Sequence, residues 1–442
     1  MNLLSFRGGI HPDYSKKLTA DKPIVKAQEP KTVYIPLSQH IGAPAKPVVQ
    51  VGESVKVGQL LGEAGGFVSA PVHSSVSGTV KGFQMMPVAG GQKVNCVVIE
   101  NDFNEEVAPE IKPYPYIEDM SPSEILEVIK NSGIVGMGGA TFPTHVKLSP
   151  PPEKNVDVAI LNGAECEPYL TCDHRLMLEE PENVVYGLRA VMKVLGVEKG
   201  YIGIENNKPD CLEKIREAAK EFANIEVVAL ATKYPQGAEK QLINACTGRE
   251  VPSGGLPADA GAVVSNVGTA AQIARSLKTG LPLIDRNCTV TGSMINEPKN
   301  MRIKIGTLYS ELIEQCGGFK EEPGKVISGG PMMGLAQSKL EVPATKGSSG
   351  ILCISKKEAQ VPEYSNCIRC GKCTQVCPAF LQPLYISGYS LQGEYDRSEE
   401  FHALDCIECG CCSFICPAKR PLLQSIRVAK QEILAKRRRS SK

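Results

Sequence analysis

The chain has 442 residues, with 49 lysines and arginines against 48 aspartates and glutamates. At roughly one domain per 150 residues, this length calls for about three domains, or four if some are small. A formal net charge of +1 excludes the charge excess of a nucleic-acid binder or a long charged tail, and no window reaches the ~18 apolar residues of a membrane-spanning helix.

The first residues, "MNLLSFRGGIHPDYSKK", lack a signal peptide's order of charge, apolar core and small-residue cleavage site, so a soluble cytoplasmic chain is expected. Residues 1–112 are rich in glycine and β-branched residues with closely spaced turn signals, and read as a small all-β module. "VGESVKVGQ" and "APVHSSVSGTV" resemble the lipoyl or biotinyl barrel-sandwich. The hairpin that would carry a modified lysine is "EAGGFVSAP", which has none, so the module is expected to be structural rather than a swinging arm.

Residues 113–286 open with a proline-spaced linker and a helix-start signature, with Ser121 as cap, Pro122 in the first turn and Glu124 closing a capping box. Apolar runs at 156–161, 201–205, 225–230 and 262–267 alternate with amphipathic stretches, the pattern of an α/β domain with a largely parallel sheet. Its ligand crevice belongs beyond the carboxyl ends of the strands. "GIVGMGGATFPTHVKL" fails as a Rossmann fingerprint because Gly136, Gly138 and Gly139 follow a helix and Thr141 stands where a third glycine belongs. It fails as a Walker A loop as well. Its company is more telling. "VDVAILNGAECEP" ends an apolar strand with Asn162, Glu165 and Glu167, "YPQGAEKQL" carries Tyr234, Gly237 and Glu239, and "SNVGTAAQIA" puts Ser265, Asn266 and Thr269 at a strand-to-helix junction suited to phosphate.

Residues 287–345 change to short strands around one helix and look like a β-grasp unit of the soluble-ligand-binding (SLBB) kind. Residues 346–442 hold two copies of C-x2-C-x2-C-x3-C-P: Cys367, Cys370, Cys373, Cys377 and Cys406, Cys409, Cys412, Cys416. In two-cluster ferredoxins the fourth cysteine of each run ligates the other cluster. The expected sets for two [4Fe-4S] clusters are therefore Cys367, Cys370 and Cys373 with Cys416, and Cys406, Cys409 and Cys412 with Cys377. Zinc would need only four ligands and leave the third cysteine and the proline of each run without a role. Cys411 falls off the pattern, and the eight other cysteines are scattered singly, as small buried hydrophobes are. The closing helix should bury Leu422, Ile426, Ala429 and Ile433 on one face, and the basic end "AKRRRSSK" reads as a frayed, solvated tail, with contact to anionic lipid or a partner as the alternative.

"GMGGATFPTHVK", "NGAECEP", "YPQGAE" and "SNVGT", in that order, resemble the flavin- and NADH-binding subunit of respiratory complex I. With "FRGGIHP", the β-grasp unit and the paired cysteine runs, the whole chain resembles the C subunit family of Rnf (Rsx) ion-translocating ferredoxin:NAD oxidoreductases. That resemblance implies FMN and NAD(H) beside two [4Fe-4S] clusters, with NAD(H) exchanging a hydride with FMN and single electrons relayed through the clusters. It implies that Gly136, Gly138 and Gly139 admit the flavin ring and nicotinamide, with Phe142 nearby and Lys147 on the flavin phosphate. Asn162 and Glu165 would contact flavin and Glu167 the NADH; Tyr234, Gly237 and Glu239 would complete the nucleotide side, and Ser265, Asn266 and Thr269 the phosphate end. Met137, Cys166 and Ala238 depart from the complex I pattern, which has arginine, serine and glutamate there. The implied partners are an iron-sulfur subunit and integral membrane subunits at the cytoplasmic face of the bacterial membrane. A cobalamin reductase of propanediol-using type and a non-catalytic iron-sulfur relay or scaffold are the alternatives. No Ser/His/Asp or Cys/His constellation is present, and the six histidines are scattered.

Overall fold

The computed structural model describes residues 3–440. Two small antiparallel sheets form the N-terminal barrel. One runs Thr32–Pro36, Lys93–Asn101, Gly78–Pro87, Ser54–Val55, and the other Lys46–Pro47, Leu60–Glu63, Val72–His73. Val33, Ile35, Leu61, Val80, Val97 and Ile99 meet between them as a fully buried core.

The α/β unit has four parallel strands in the order Ile225–Leu230, Lys199–Glu205, Val158–Gly163, Ala262–Asn266. These are the four apolar runs of the sequence, buried because helices cover the sheet. Sequence order along the sheet is third, second, first, fourth, so the direction of winding reverses between Val158–Gly163 and Ala262–Asn266. A ligand crevice opens at such a switch point. The helix Pro122–Asn131 starts with the expected capping box, Ser121 Oγ accepting from the Glu124 amide and Glu124 from the Ser121 amide.

A six-stranded mixed sheet follows, in the order Ile24–Lys26, Lys299–Lys304, Asp285–Thr291, Gly350–Ile354, Lys325–Ser328, Leu335–Gln337. It draws in Ile24–Lys26 and Gly350–Ile354 from outside the 287–345 stretch, because both edges of its central hairpin offer unpaired backbone.

The C-terminal unit is helical and internally repeated. Gly371 and Gly410 both take positive φ, +73° and +78°, and each opens a short helix, Lys372–Gln375 or Cys411–Ile415. Arg369 and Glu408 match in φ at +53° and +59°, as do Phe380 and Lys419 at +55° and +52°. The closing helix, Leu422–Ser440, buries Leu422, Ile426, Ala429 and Ile433 as the spacing predicts. The basic tail is solvent-exposed as expected, but over its described residues it is helical rather than frayed. Residues 435–440 are helical, since Lys436 pairs with Asp396 and Arg437 with Glu399 of the helix Tyr395–Glu400. Ser441 and Lys442 lie outside the described residues. No described helix is long and apolar enough to cross a membrane.

Candidate flavin site and cluster sites

The glycine loop is closed at its neck by two backbone hydrogen bonds, Gly136 N to Phe142 O at 2.8 Å and Thr144 N to Ile134 O at 3.0 Å. It lies over the switch point. Asn162 and Asn266 are register partners on the two strands there, and the Asn266 side chain sits directly under Gly138, where an added Cβ would come within 2.7 Å of its Nδ2. At Gly139 an added Cβ would meet nothing within 4 Å, so the loop is filled beneath and open at its crest.

Met137, the unmatched residue of the loop, is buried with its Cε against Gly268. Its amide donates to Thr269 Oγ1 at 2.9 Å and its carbonyl accepts from Arg286 at 3.2 Å. Thr269 and the buried Arg286 therefore hold the loop from below.

On the first strand, Asn162 Nδ2 donates to Gly237 O at 2.7 Å, and Gly237 N donates to the Cys166 thiol at 3.3 Å. Burial pushes that thiol up to about 12, so Cys166 is a neutral thiol and no nucleophile. Lys147 pairs with Glu239 at 2.5 Å beside the start of helix Glu239–Thr247, where Ala238 at the cap position provides no side-chain acceptor. A cation beside an uncapped helix start fits a phosphate. On the last strand, Ser265 is buried, and Asn266 caps helix Val267–Thr279 through Gly268 N at 2.8 Å while donating to Asp173 at 2.7 Å. Burial, then the neighbouring Glu165, push the Asp173 carboxyl up to about 6.

Three more of the expected residues are engaged by protein. Glu165 caps the helix Cys172–Glu179, accepting from the amides of Asp173 at 2.7 Å and His174 at 3.2 Å. Glu167 accepts from the amides of Met332 at 3.1 Å and Met333 at 2.7 Å in the "GGPMMG" loop. Burial pushes its carboxyl up to about 7. Tyr234 is fully buried, and its hydroxyl faces the cysteine unit, donating to the carbonyl of Cys409 at 2.9 Å.

Several residues of the site lie outside every motif. Lys16 Nζ reaches the carbonyls of Glu165, Glu167 and Leu170 at 2.8, 3.0 and 2.6 Å. The buried Lys346 ties Pro71 O of the barrel to Gly133 O at the root of the glycine loop, both at 2.7 Å. Neither these lysines nor Arg286 stands in a local pattern that marks it.

The cysteines form two groups. Cys367, Cys370, Cys373 and Cys416 line one small cavity. Cys377, Cys406, Cys409 and Cys412, with Cys411 beside them, line a second. Each cavity thus takes three thiols from one run and the fourth from the other, a donor set suited to a [4Fe-4S] cubane. The first lies at the surface, where Cys367 and Cys370 are exposed. The second lies inside, against the α/β unit. Tyr234 joins Cys409, Cys411 Sγ is 3.8 Å from Tyr234 O, and Cys166 and Met332 pack on the same cluster of side chains. Among the other cysteines, Cys96, Cys172, Cys211, Cys288, Cys316 and Cys353 are buried and Cys246 is partly so.

Comparison with known proteins agrees with this architecture. Residues 4–104 match the RnfC barrel sandwich hybrid domain, 129–275 the Nuo51 FMN-binding domain, 288–336 the SLBB domain and 360–417 the 4Fe-4S dicluster domain. The chain resembles an NAD+-reducing [NiFe]-hydrogenase crystal structure in fold, with a TM-score of 0.51 at 17% identity over 73% of this chain and 62% of that one. It is 57% identical to the C subunit of the Na(+)-translocating ferredoxin:NAD(+) oxidoreductase complex of Acetobacterium woodii, over 99% of both chains. It is 55% identical to the proton-translocating counterpart of Clostridium ljungdahlii, over 97% of this chain and 94% of that one. Identity to the C subunit of the ion-translocating oxidoreductase complex of Rhodobacter capsulatus is 41%, over 97% and 83%. With its barrel, FMN-binding, SLBB and dicluster units in the same order along nearly its whole length, the chain belongs to the RnfC family, the C subunits of ion-translocating ferredoxin:NAD(+) oxidoreductase complexes.

Proposed function

We propose that this chain exchanges electrons between NAD(H) and the other subunits of a membrane-bound, ion-translocating ferredoxin:NAD oxidoreductase. The observation that carries the reading is the inner cysteine cavity, whose Cys409 is hydrogen-bonded at 2.9 Å to Tyr234 of the flavin domain, while the outer cavity reaches the surface. Bound FMN supplies the conversion from two electrons to one: oxidation of NADH to NAD+ and a proton releases two electrons, and each cluster takes one at a time.

The residues have separate tasks. Gly139 keeps the loop crest clear for a flat ring, while Gly138 lets the loop rest on Asn266 below, with Gly136 closing its neck and Phe142 at its edge. Asn162 and Gly237 fix the wall beside Cys166. Lys147 and the uncapped helix start at Ala238 form the phosphate end, with Glu239 orienting Lys147 through its ion pair and Ser265 and Thr269 behind the loop. Glu165, Glu167 and Tyr234 act at one remove, by holding the 164–170 loop, the "GGPMMG" loop and the cysteine unit in register. Cys377, Cys406, Cys409 and Cys412 hold the inner cluster, and Cys367, Cys370, Cys373 and Cys416 the outer one. The outer set, with Cys367 and Cys370 exposed, faces an iron-sulfur partner at the cytoplasmic side of the membrane, and integral subunits anchor the assembly.

The full chain, reconstituted with iron, sulfide and FMN without oxygen, tests this directly. NADH should bleach the flavin absorbance and produce the electron paramagnetic resonance of reduced [4Fe-4S] clusters. Clusters that form without flavin retention, or that NADH leaves oxidised, refute the reading.

A further inference from the structure

The segment ahead of the barrel, residues 3–19, runs across three of the chain's units. Leu4 extends the edge of the parallel sheet: its amide donates to Ala229 O at 3.0 Å and its carbonyl accepts from Ala231 N at 2.8 Å. Phe6 is clamped by Lys233, which donates to its carbonyl at 2.8 Å and lies 4.5 Å from its ring centre. The next residues cross to the cysteine unit. Gly9 N donates to Val376 O at 2.8 Å, and Ile10 pairs with Tyr234 through two backbone bonds of 2.8 and 2.9 Å.

Both glycines are required by geometry. Gly8 has φ +89°, and an added Cβ would lie 3.0 Å from Cys377 O; Gly9 has φ +80°, and its Cβ would lie 2.7 Å from Tyr234 O. A side chain there is strained and meets backbone on both sides. Further along, Tyr14 O accepts from Tyr169 N at 2.8 Å and Lys16 binds the three carbonyls of the 164–170 loop. That loop contains two non-glycine residues with positive φ, Glu165 at +45° and Tyr169 at +68°, a conformation that needs outside support.

We propose that this N-terminal arm is the positioning element for electron transfer within the chain. Gly8 and Gly9 hold the Val376–Cys377 turn of the inner cysteine set against the Tyr234 loop, while Lys16 holds the flavin-facing loop on the other side. One continuous stretch of backbone therefore sets the separation between the two redox sites. The inference rests on the electron-transfer reading above, and the electrons involved are the two that NADH oxidation releases.

Gly8→Ala and Gly9→Val form a graded pair for the test, made in the full chain and reconstituted as above. Flavin and iron contents are measured first, then NADH-driven flavin bleaching and cluster reduction are followed separately by stopped-flow absorbance and freeze-quench paramagnetic resonance. Flavin bleaching should keep its rate while cluster reduction slows, by roughly tenfold or more in Gly9→Val and less in Gly8→Ala, since small misplacements carry large rate costs. Hydrogen exchange at residues 232–238 and 376–381 should rise in the same order. Unchanged cluster reduction in whichever variant retains both groups overturns the proposal. Loss of flavin or iron from both overturns it too, because the arm would then be a folding element. Failure of NADH to reduce the clusters of the unaltered chain would instead sink the electron-transfer reading.

Discussion

Met137 illustrates what a single position reveals only when its neighbours are in place. Against the complex I pattern it is a lost arginine; in the fold it is a buried plug against Gly268, and Arg286 reaches the same loop from the adjacent β-grasp sheet. Glu167 is similar, for its carboxylate is engaged by the Met332 and Met333 amides, a contact 165 residues away in sequence. Its carboxyl rises from 4.5 to about 7 in the fold, burial being the main cause. The folded protein thus holds that proton more tightly than the unfolded chain does. The stability it contributes is complete below pH 4.5 and is lost as pH rises through about 7. Glu167→Gln should flatten this decline by about 3 kcal/mol in urea unfolding compared across that window, with a constant offset from the acceptor the amide lacks. Curves of equal slope in the two proteins would refute it. Tyr234→Phe leaves the Cys409 carbonyl without its partner and should cost about 1–3 kcal/mol, read as a lower unfolding midpoint with flavin content unchanged.

Among the elements, the strands of the flavin domain were legible because both faces are covered and each reads as an unbroken apolar run, and the helix at Pro122 because its capping box is local. The glycine loop was legible as a loop, but its position over the switch point was not, because it depends on the strand order, which only the fold shows. What no local pattern carries is the support beneath it, since Asn266, Thr269 and Arg286 arrive from positions more than a hundred residues away. The loop therefore contains two kinds of glycine, and they should respond differently. Gly138→Val drives a side chain into Asn266 and should lower stability by about 1–3 kcal/mol as well as weaken flavin retention. At Gly139 an added Cβ meets nothing within 4 Å, so Gly139→Leu should change stability by less than about 0.5 kcal/mol, yet it fills the crest where the ring would lie. Thermal melting together with flavin retained after desalting separates the two. Full flavin retention in Gly139→Leu would move the site elsewhere.

At the scale of the molecule, the cysteine spacing was the most readable feature, because a cubane imposes its ligand geometry on a short run of chain. The relation between the two cluster sites and the flavin domain was not readable, because it depends on the arm, the Tyr234 loop and the "GGPMMG" loop meeting at one place. That meeting makes the two sites unequal, and exchanged ligands allow each to be removed alone. Cys377 belongs to the inner cavity although it lies in the first run, and Cys416 to the outer although it lies in the second. Cys377→Ala should lose the inner cluster, keep NADH-driven flavin bleaching, and leave the outer cluster oxidised for want of a neighbour. Cys416→Ala should lose the outer cluster and still show the inner one reduced by NADH, while passage to an added iron-sulfur partner falls. Iron content near half in both variants, with opposite paramagnetic resonance signals surviving, checks the assignment. If Cys377→Ala instead spared the inner signal, each run would be serving its own cluster, and the crossed arrangement of the two cavities would have to be abandoned.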